Sequence, residues 1–501
     1  MKKNCFLTIN SYENYFYFLV WSCAIIYSVY QFYLANNYFN DYNDAYGDFD
    51  SGWTWVGKKR DISDQEWLVW LTLKDKLIPY VFIHHFISQI IKINSNNSTI
   101  LCCWYILSSI IFLYCYLGPL GILCTLLQPS LFYILTCMCS KNKAWIIHIS
   151  YLFVMYILKI PNGIFQSWLG ITDKEHYILT LILCWIHLRS ISHNMDSHND
   201  QFSESNNFIQ KLAYCLYLPT LFFGPLILYH EFIASINQQH QYWNCQRFIT
   251  FTLQLVRYMF WLYLTELILH FIYINAMQYH LQVVQNLNSW ALYGLGYCMG
   301  QFFFNKYFVI YGTCSNLCYL DNIKAPSQPK CIARVHLYSD MWKYFDRGLY
   351  KFLIRYIYVP IQTSKGYIGK LFASFLCFTF IFIWHGIQIN IFIWTLLNYI
   401  GIVIEDISIA IGKSKQYRKM QNTYLSSRNT KRLHCMLASP LLAMSAISNF
   451  YFLGGQEIGN IFIQNMLHGS WKSLFILLFF LYCCCQVSLN IKNWELHRVK
   501  R

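Results

Sequence analysis

The chain is 501 residues long, carries 38 Lys and Arg against 23 Asp and Glu for a formal charge of +15, and holds 20 cysteines. Hydrophobic residues make up 56% and charged ones 12%, mean hydropathy is +0.31, and apolar stretches of about 17–25 residues recur, the length that crosses a hydrocarbon core. This composition excludes a soluble globular domain, makes nucleic acid a poor account of the positive charge, and describes an all-α polytopic membrane protein.

In chain order, predicted spans fall near residues 14–35, 67–91, 99–117, 120–139, 145–168, 177–192, 208–233, 249–276, 288–312, 367–400, 432–452 and 469–490. With some of them re-entrant or tilted, about 10–12 membrane segments form a single domain over residues 1–501. The first is too long for a cleavable signal and lacks a small-residue cleavage site, so it reads as a span that stays. Residues 35–50 read as a lumenal loop and 194–206 as a polar linker. Basic clusters at 58–60, 141–143, 324–334, 413–432 and 492–501 favour the cytoplasmic side. The sequons at Asn96 and Asn97 accept glycan only if their loop is lumenal.

Most cysteines, among them Cys102, Cys184, Cys377 and Cys483 to Cys485, lie in apolar segments and read as small hydrophobes. Cys314 and Cys318 have half of a zinc spacing with no second pair. Pro219 and Gly224-Pro225 interrupt the segment 214–232. Freed backbone groups are tolerated in a bilayer only where protein or a cavity satisfies them, so this segment either lines something or kinks for packing alone.

The stretch MWKYFDRGLYKFLIRY at 341–356 is predicted as an amphipathic helix. On a helical wheel Phe345, Leu349, Phe352 and Tyr356 share one face and Lys343, Arg347, Lys351 and Arg355 the other, so it lies in the interface plane or along a bundle wall. The basic stripe meets either anionic lipid or the phosphates of an acidic cosubstrate. Asp346 falls at the border of the apolar face, where it either pairs with Lys343 at i,i+3 or points at a partner inside the membrane domain.

In the segment 367–400, FIFIWHGIQIN places His385 in an otherwise apolar run. An ionisable group there defaults to function, against the competing reading of a histidine hydrogen-bonded between helices. Glu266 and His270, at i,i+4, read as a structural pair; His84, His85, His230 and His280 also lie in or near spans, and pattern does not rank them.

The motifs MWKYFDRGLYKFLIRYIYVP at 341–360, FIWHG at 382–386, LYLPTLFFGP at 216–225, TELILHFIYINA at 265–276 and SNFYFLGGQEIG at 448–459 resemble those of the membrane-bound O-acyltransferases, and within them the Hedgehog acyltransferases. GKKRDISDQEW at 57–67 and LRSISHNMD at 188–196 fit the same pattern. The resemblance implies that fold around a central tunnel, His385 as the catalytic histidine and Asp346 as its acidic counterpart; a related non-catalytic branch lacks the histidine. Lys343, Arg347, Lys351 and Arg355 are candidates to meet the acyl-CoA phosphates at the cytosolic mouth, against a lipid-facing stripe, and Trp384 is a further acyl-CoA candidate; Lys343 stands where the family usually has Arg, a point charge for a fork. The resemblance also implies a haem held by the Cys331 thiolate.

The implied reaction moves a long acyl chain from palmitoyl-CoA to the amino-terminal cysteine amine of a secreted Hedgehog-type or EGF-type ligand, in the endoplasmic reticulum or Golgi membrane. A peptide α-amine has a pKa of about 7.7–8.0 and must shed a proton to attack, and an imidazole near 6.5 is suited to accept it. The alternatives are an O-acyltransferase acting on a lipid or serine hydroxyl, and a transporter or scaffold that binds without reacting.

Overall fold

The computed structural model describes residues 11–39, 47–95, 97–198, 207–238, 243–362 and 366–499. The amino-terminal part comprises α1 (Ser11–Ala35), α2 (Gln65–Asn94), α3 (Ser98–Met138), α4 (Lys141–Leu158), α5 (Ile164–Leu169), α6 (Asp173–Ser197), α7 (Phe208–Leu216) and α8 (Tyr229–Ile236). Then come α9 (Cys245–Ile268), α10 (Ile274–Tyr279), α11 (Leu281–Gln285), α12 (Ser289–Leu320), α13 (Tyr338–Tyr344), α14 (Arg347–Leu353), α15 (Val359–Gln362), α16 (Gly366–His385), α17 (Ile389–Lys413), α18 (Lys415–Tyr424), α19 (Ser427–His468) and α20 (Trp471–Val499). Among the described residues the only sheet is a two-residue antiparallel ladder joining Phe49–Asp50 to Arg60–Asp61. Six helices, α1, α3, α16, α17, α19 and α20, are long and apolar enough to cross a membrane. The chain is therefore an all-α polytopic membrane protein.

Several predicted spans merge or divide. Those at 99–117 and 120–139 are one helix, α3, bent at Gly118 (φ 70) before Pro119, and α19 bends likewise at Gly455 (φ 80). Glycine takes a positive φ without steric cost, so the chain turns there while the flanking turns stay hydrogen-bonded. The segment 367–400 divides at Gly386 into α16 and α17.

The basic cluster at 58–60 lies apart from the others. Lys330 and Arg334 pair with Glu495, Lys492 with Asp340, and Arg432 with Glu13 at the start of α1. Lys58 instead lies over Tyr33 and Phe271 toward the far end of α1, about 30 Å along its axis from Glu13. There Arg60 is paired with Asp50 and Glu266, and because this cluster lies at the opposite end of α1 from the others, the basic clusters do not all share one side of the membrane. Asn97 caps α3 through Thr99 N at 2.9 Å, at the end of α2 opposite Asp64; Asn96 lies outside the described residues.

The expected linker also differs. Residues 199–206 lie outside the described residues, but Asn194, Met195 and Asp196 are buried on the last turns of α6. Asp196 accepts from Tyr356 Oη (2.8 Å), Arg355 Nε (3.0 Å) and His230 Nδ1 (3.1 Å), which joins α6 to α8 and to the π-helical turn Ile354–Tyr358 after α14.

The interrupted segment 214–232 is buried, and its freed backbone groups are answered by side chains. Arg189 donates to Cys215 O at 2.8 Å and to Thr220 O, Ser109 donates to Leu216 O at 2.5 Å, and Tyr214 donates to Ile227 O at 2.6 Å. The first turn of α14 rests directly on this segment. A β-carbon at Gly348 would stand 2.2 Å from Leu226 O, so only glycine permits the approach that places Asp346.

Candidate active site

A cavity of about 730 Å³ runs between the helices, and both Asp346 and His385 lie on its wall. The predicted helix 341–356 is two pieces. The chain leaves helical geometry at Asp346 (φ −108, ψ 91), which separates α13 from α14 and is the N-cap of α14, its Oδ1 accepting Leu349 N at 2.9 Å. A wheel drawn through that break misplaces Asp346, and the expected pair with Lys343 does not form. Oδ2 instead accepts the Tyr311 hydroxyl of α12 at 2.9 Å.

His385 is the last residue of α16. Its ring is held edge-on between Trp384, Trp394 and Phe452, at centroid distances of 4.9, 5.4 and 5.3 Å, and among the described residues it makes no hydrogen bond. Aromatic walls fix the imidazole plane while leaving its nitrogens to whatever enters the cavity. Trp384 and Trp394 line the same space. Trp394 stacks on Phe452 at 4.3 Å, and Trp342 Nε1 donates to Asn398 Oδ1 at 2.9 Å.

The wall has two characters. Around Asp346 and His385 it carries Glu66, Lys159, Tyr177, Tyr307 and Tyr311; an arm between α1, α12, α19 and α20 is apolar, with Trp21, Ile25, Trp290, Phe480 and Leu481. Glu66 accepts the Tyr307 hydroxyl at 2.9 Å and pairs with Lys306 at 2.8 Å. Lys159 donates to Trp384 O at 2.9 Å. Sequence reading missed Glu66, Lys159, Tyr307 and Tyr311. The i,i+4 tyrosines of α12 were the available signal, each meeting a carboxylate of the cavity wall.

None of Lys343, Arg347, Lys351 and Arg355 lies on the cavity wall. Lys343 and Arg347 stand over the Tyr344 ring at 5.4 and 5.3 Å, Lys351 pairs with Glu231 at 2.5 Å, and Arg355 with Asp196 at 2.9 Å. Glu266 and His270 are not a side-chain pair either. Glu266 accepts from Arg60 and from Trp67 Nε1 (2.6 Å), while His270 bonds the Glu266 carbonyl (2.8 Å) and accepts Trp53 N (2.9 Å). The described cysteines are free, Cys314 and Cys318 included.

Cys331 is half-buried on the loop before the 3-10 turn Ile332–Arg334, its Sγ 3.6 Å from Gln301 Oε1. Gln301 and Ile332 line the cavity's edge beside it. Cys331 is a single soft donor on a half-buried loop, and the flanking Lys330 and Arg334 are both paired with Glu495.

The membrane-bound O-acyltransferase family model matches residues 100–448. The protein-cysteine N-palmitoyltransferase Rasp of Drosophila melanogaster is 31% identical over 363 residues, 71% of this chain and 71% of that protein. The protein-cysteine N-palmitoyltransferase HHAT of Mus musculus is 26% identical over 454 residues, covering 86% of this chain and 88% of its own length. An HHAT-like protein of the same organism is 23% identical over 451 residues, 87% of this chain and 86% of that protein. A helical membrane domain, a cavity bearing His385 and Asp346, and these matches over most of the length lead to one conclusion: the chain belongs to the membrane-bound O-acyltransferase family.

Proposed function

We propose that this protein is a palmitoyl-CoA-dependent N-acyltransferase that acylates the amino-terminal cysteine of secreted Hedgehog-type ligands, with EGF-type ligands as a second class, in the endoplasmic reticulum or Golgi membrane. The observation that carries the reading is an imidazole and a carboxylate from separate segments on the wall of one cavity whose other arm is apolar. Two relatives named as protein-cysteine N-palmitoyltransferases support it.

The chemistry follows from the groups present. The peptide amine attacks the thioester carbonyl, the C–N bond forms as the C–S bond breaks, and the coenzyme leaves as its thiol. His385 takes the proton that the attacking amine sheds and passes it to the departing sulfur, so that the coenzyme leaves as a thiol. Asp346, held by Tyr311 and by Leu349 N, receives the ammonium beforehand. A carboxylate suits a cationic amine better than a neutral hydroxyl, which favours an amine acceptor over a lipid or serine hydroxyl. No acyl-enzyme is required, because aminolysis of a thioester proceeds directly. The acyl chain occupies the apolar arm, and Trp384 stands beside the thioester.

Lys343, Arg347, Lys351 and Arg355 lie off the cavity wall, so a role toward the coenzyme's phosphates would be exercised outside it. The Cys331 thiolate would hold a haem, which when bound supplies a redox-capable iron centre; the acyl transfer is carried by the chain's own residues.

The test incubates purified protein with labelled palmitoyl-CoA and two peptides, one with a free amino-terminal Cys and one acetylated. Label on the first alone is expected. Label on lipid or on a serine hydroxyl instead would replace this reading with the O-acyltransferase one, and binding without transfer would leave a transporter or scaffold.

A further inference from the structure

Outside the cavity, His84 and His85 of α2 meet Asp321 at the end of α12, all three buried. Their ligand-type atoms lie within 4.8 Å of one another. His84 Nε2 and His85 Nδ1 each stand 3.2 Å from the same oxygen, Asp321 Oδ2. A tetrahedral ion with bonds of about 2.0–2.1 Å separates its ligand atoms by about 3.3–3.4 Å, close to both spacings.

The protonation pattern points the same way. Ser108 Oγ donates to Tyr105 O at 3.1 Å, so it accepts from His84 Nδ1 at 2.7 Å, and that nitrogen carries the ring proton. In the neutral ring Nε2 then presents its lone pair to a carboxylate oxygen 3.2 Å away, a contact completed by a shared proton or by a bound cation. His85 adds a second nitrogen to that oxygen, and neither of its ring nitrogens has a hydrogen-bond partner. The Ser108 contact is the outer hydrogen bond that metal-ligating histidines usually make through their other nitrogen.

The remaining neighbours divide between the two carboxylate oxygens. Lys92 and Ser88 engage the other one, Oδ1, at 3.3 and 2.5 Å, and Lys92 also donates to the Asp321 carbonyl at 2.6 Å. On the histidine side the Tyr217 hydroxyl donates to Oδ2 at 2.8 Å, and the buried Tyr105, stacked on His84 at 5.0 Å, also faces Asp321. We infer that His84, His85 and Asp321 form a buried divalent-cation site, with zinc as the ion that nitrogen and oxygen donors in a small tetrahedral arrangement favour. Such an ion ties α2 to α12, the helix that carries Tyr307 and Tyr311.

The inference stands independently of the acyl-transfer reading, and its test reads metal rather than activity. Full-length protein, purified in detergent without added metal or chelator, is analysed for metal content by mass spectrometry, with iron counted separately. About one zinc per chain is expected, falling at least about tenfold in His85→Gln and in Asp321→Asn. X-ray absorption of the wild-type zinc should find nitrogen and oxygen neighbours only, which decides the matter even if the variants fail to fold. Wild-type protein free of zinc and unable to take up zinc or cobalt, sulfur in the metal shell, or zinc retained in folded variants would each overturn the site; the first leaves a shared proton in its place.

Discussion

Asp346 and Asp196 bracket the same short stretch of chain, one capping the start of α14 and the other receiving Arg355 and Tyr356 from the turn that follows it. Asp196 is saturated by a guanidinium, a histidine and a phenol, and it is fully buried. Asp346 has a backbone N–H and one phenol, and among the described residues no cation pairs with it. A carboxylate removed from water is costly until its charge is answered. At Asp196 the fold supplies the answer; at Asp346 it leaves that to whatever enters the cavity. Saturation separates a structural clamp from the carboxylate proposed to receive the ammonium, although both are carboxylates at the end or start of a helix.

The comparison is broken most severely at its catalytic end. His385→Ala should lower transfer from palmitoyl-CoA to a free amino-terminal Cys peptide by about 10²–10⁴-fold, with the thermal unfolding midpoint lowered only by the lost ring contacts to Trp384, Trp394 and Phe452. Full activity in that variant would remove the proposed base. Asp196→Ala attacks the other side. It leaves the buried Tyr356 hydroxyl without its carboxylate acceptor and the partly exposed Arg355 without its partner, and should cost about 1–3 kcal/mol of stability, visible as a lower unfolding midpoint, with turnover per folded molecule retained. Asp346→Asn is the sharper probe, since Asn caps a helix about as well as Asp through its one oxygen, while its NH2 faces Tyr311 and donates to the hydroxyl instead of accepting from it. Losing one charge-assisted contact to the ammonium, worth about 1.5–3 kcal/mol, should raise the peptide KM about 10- to 150-fold without moving the unfolding midpoint. An unchanged KM would mean that Asp346 does not meet the amine.

Much of this was legible in the chain, for reasons that differ by region. The apolar runs announce the membrane helices, and the motifs around Asp346 and His385 carry the family. Periodicity failed where a single residue broke a helix. Asp346 is not on a helical face at all, and no wheel through 341–356 reveals that its backbone turns there to cap α14. Asp196 was misjudged because NMDSHND is polar, while its partners Arg355 and His230 are supplied by remote segments. Glu66 and Lys159 reach the cavity from helices far apart in sequence, so their convergence has no local signature. The basic residues at 58–60 were misplaced because counting charges does not show that they fold against the opposite end of α1 from the other clusters.

The smallest expected effects discriminate between the two halves of the comparison. Tyr311→Phe removes one neutral donor from Asp346 and should cost about 0.5–1.5 kcal/mol of transition-state stabilisation, a few-fold to about tenfold in kcat/KM. The loss should shrink in an Asp346→Asn background, because the hydroxyl acts through that carboxyl group. Equal losses in both backgrounds would show that Tyr311 serves packing alone. Lys351→Ala lies at the other extreme. Its ion pair with Glu231 is solvent-exposed on the lysine side, and such pairs are worth about 0–1 kcal/mol. Stability should therefore hardly move. A large rise in the KM for palmitoyl-CoA in this variant, suppressed at high salt, would return the basic stripe to the coenzyme; an unchanged KM would leave Lys351 with lipid and Glu231, outside the chemistry.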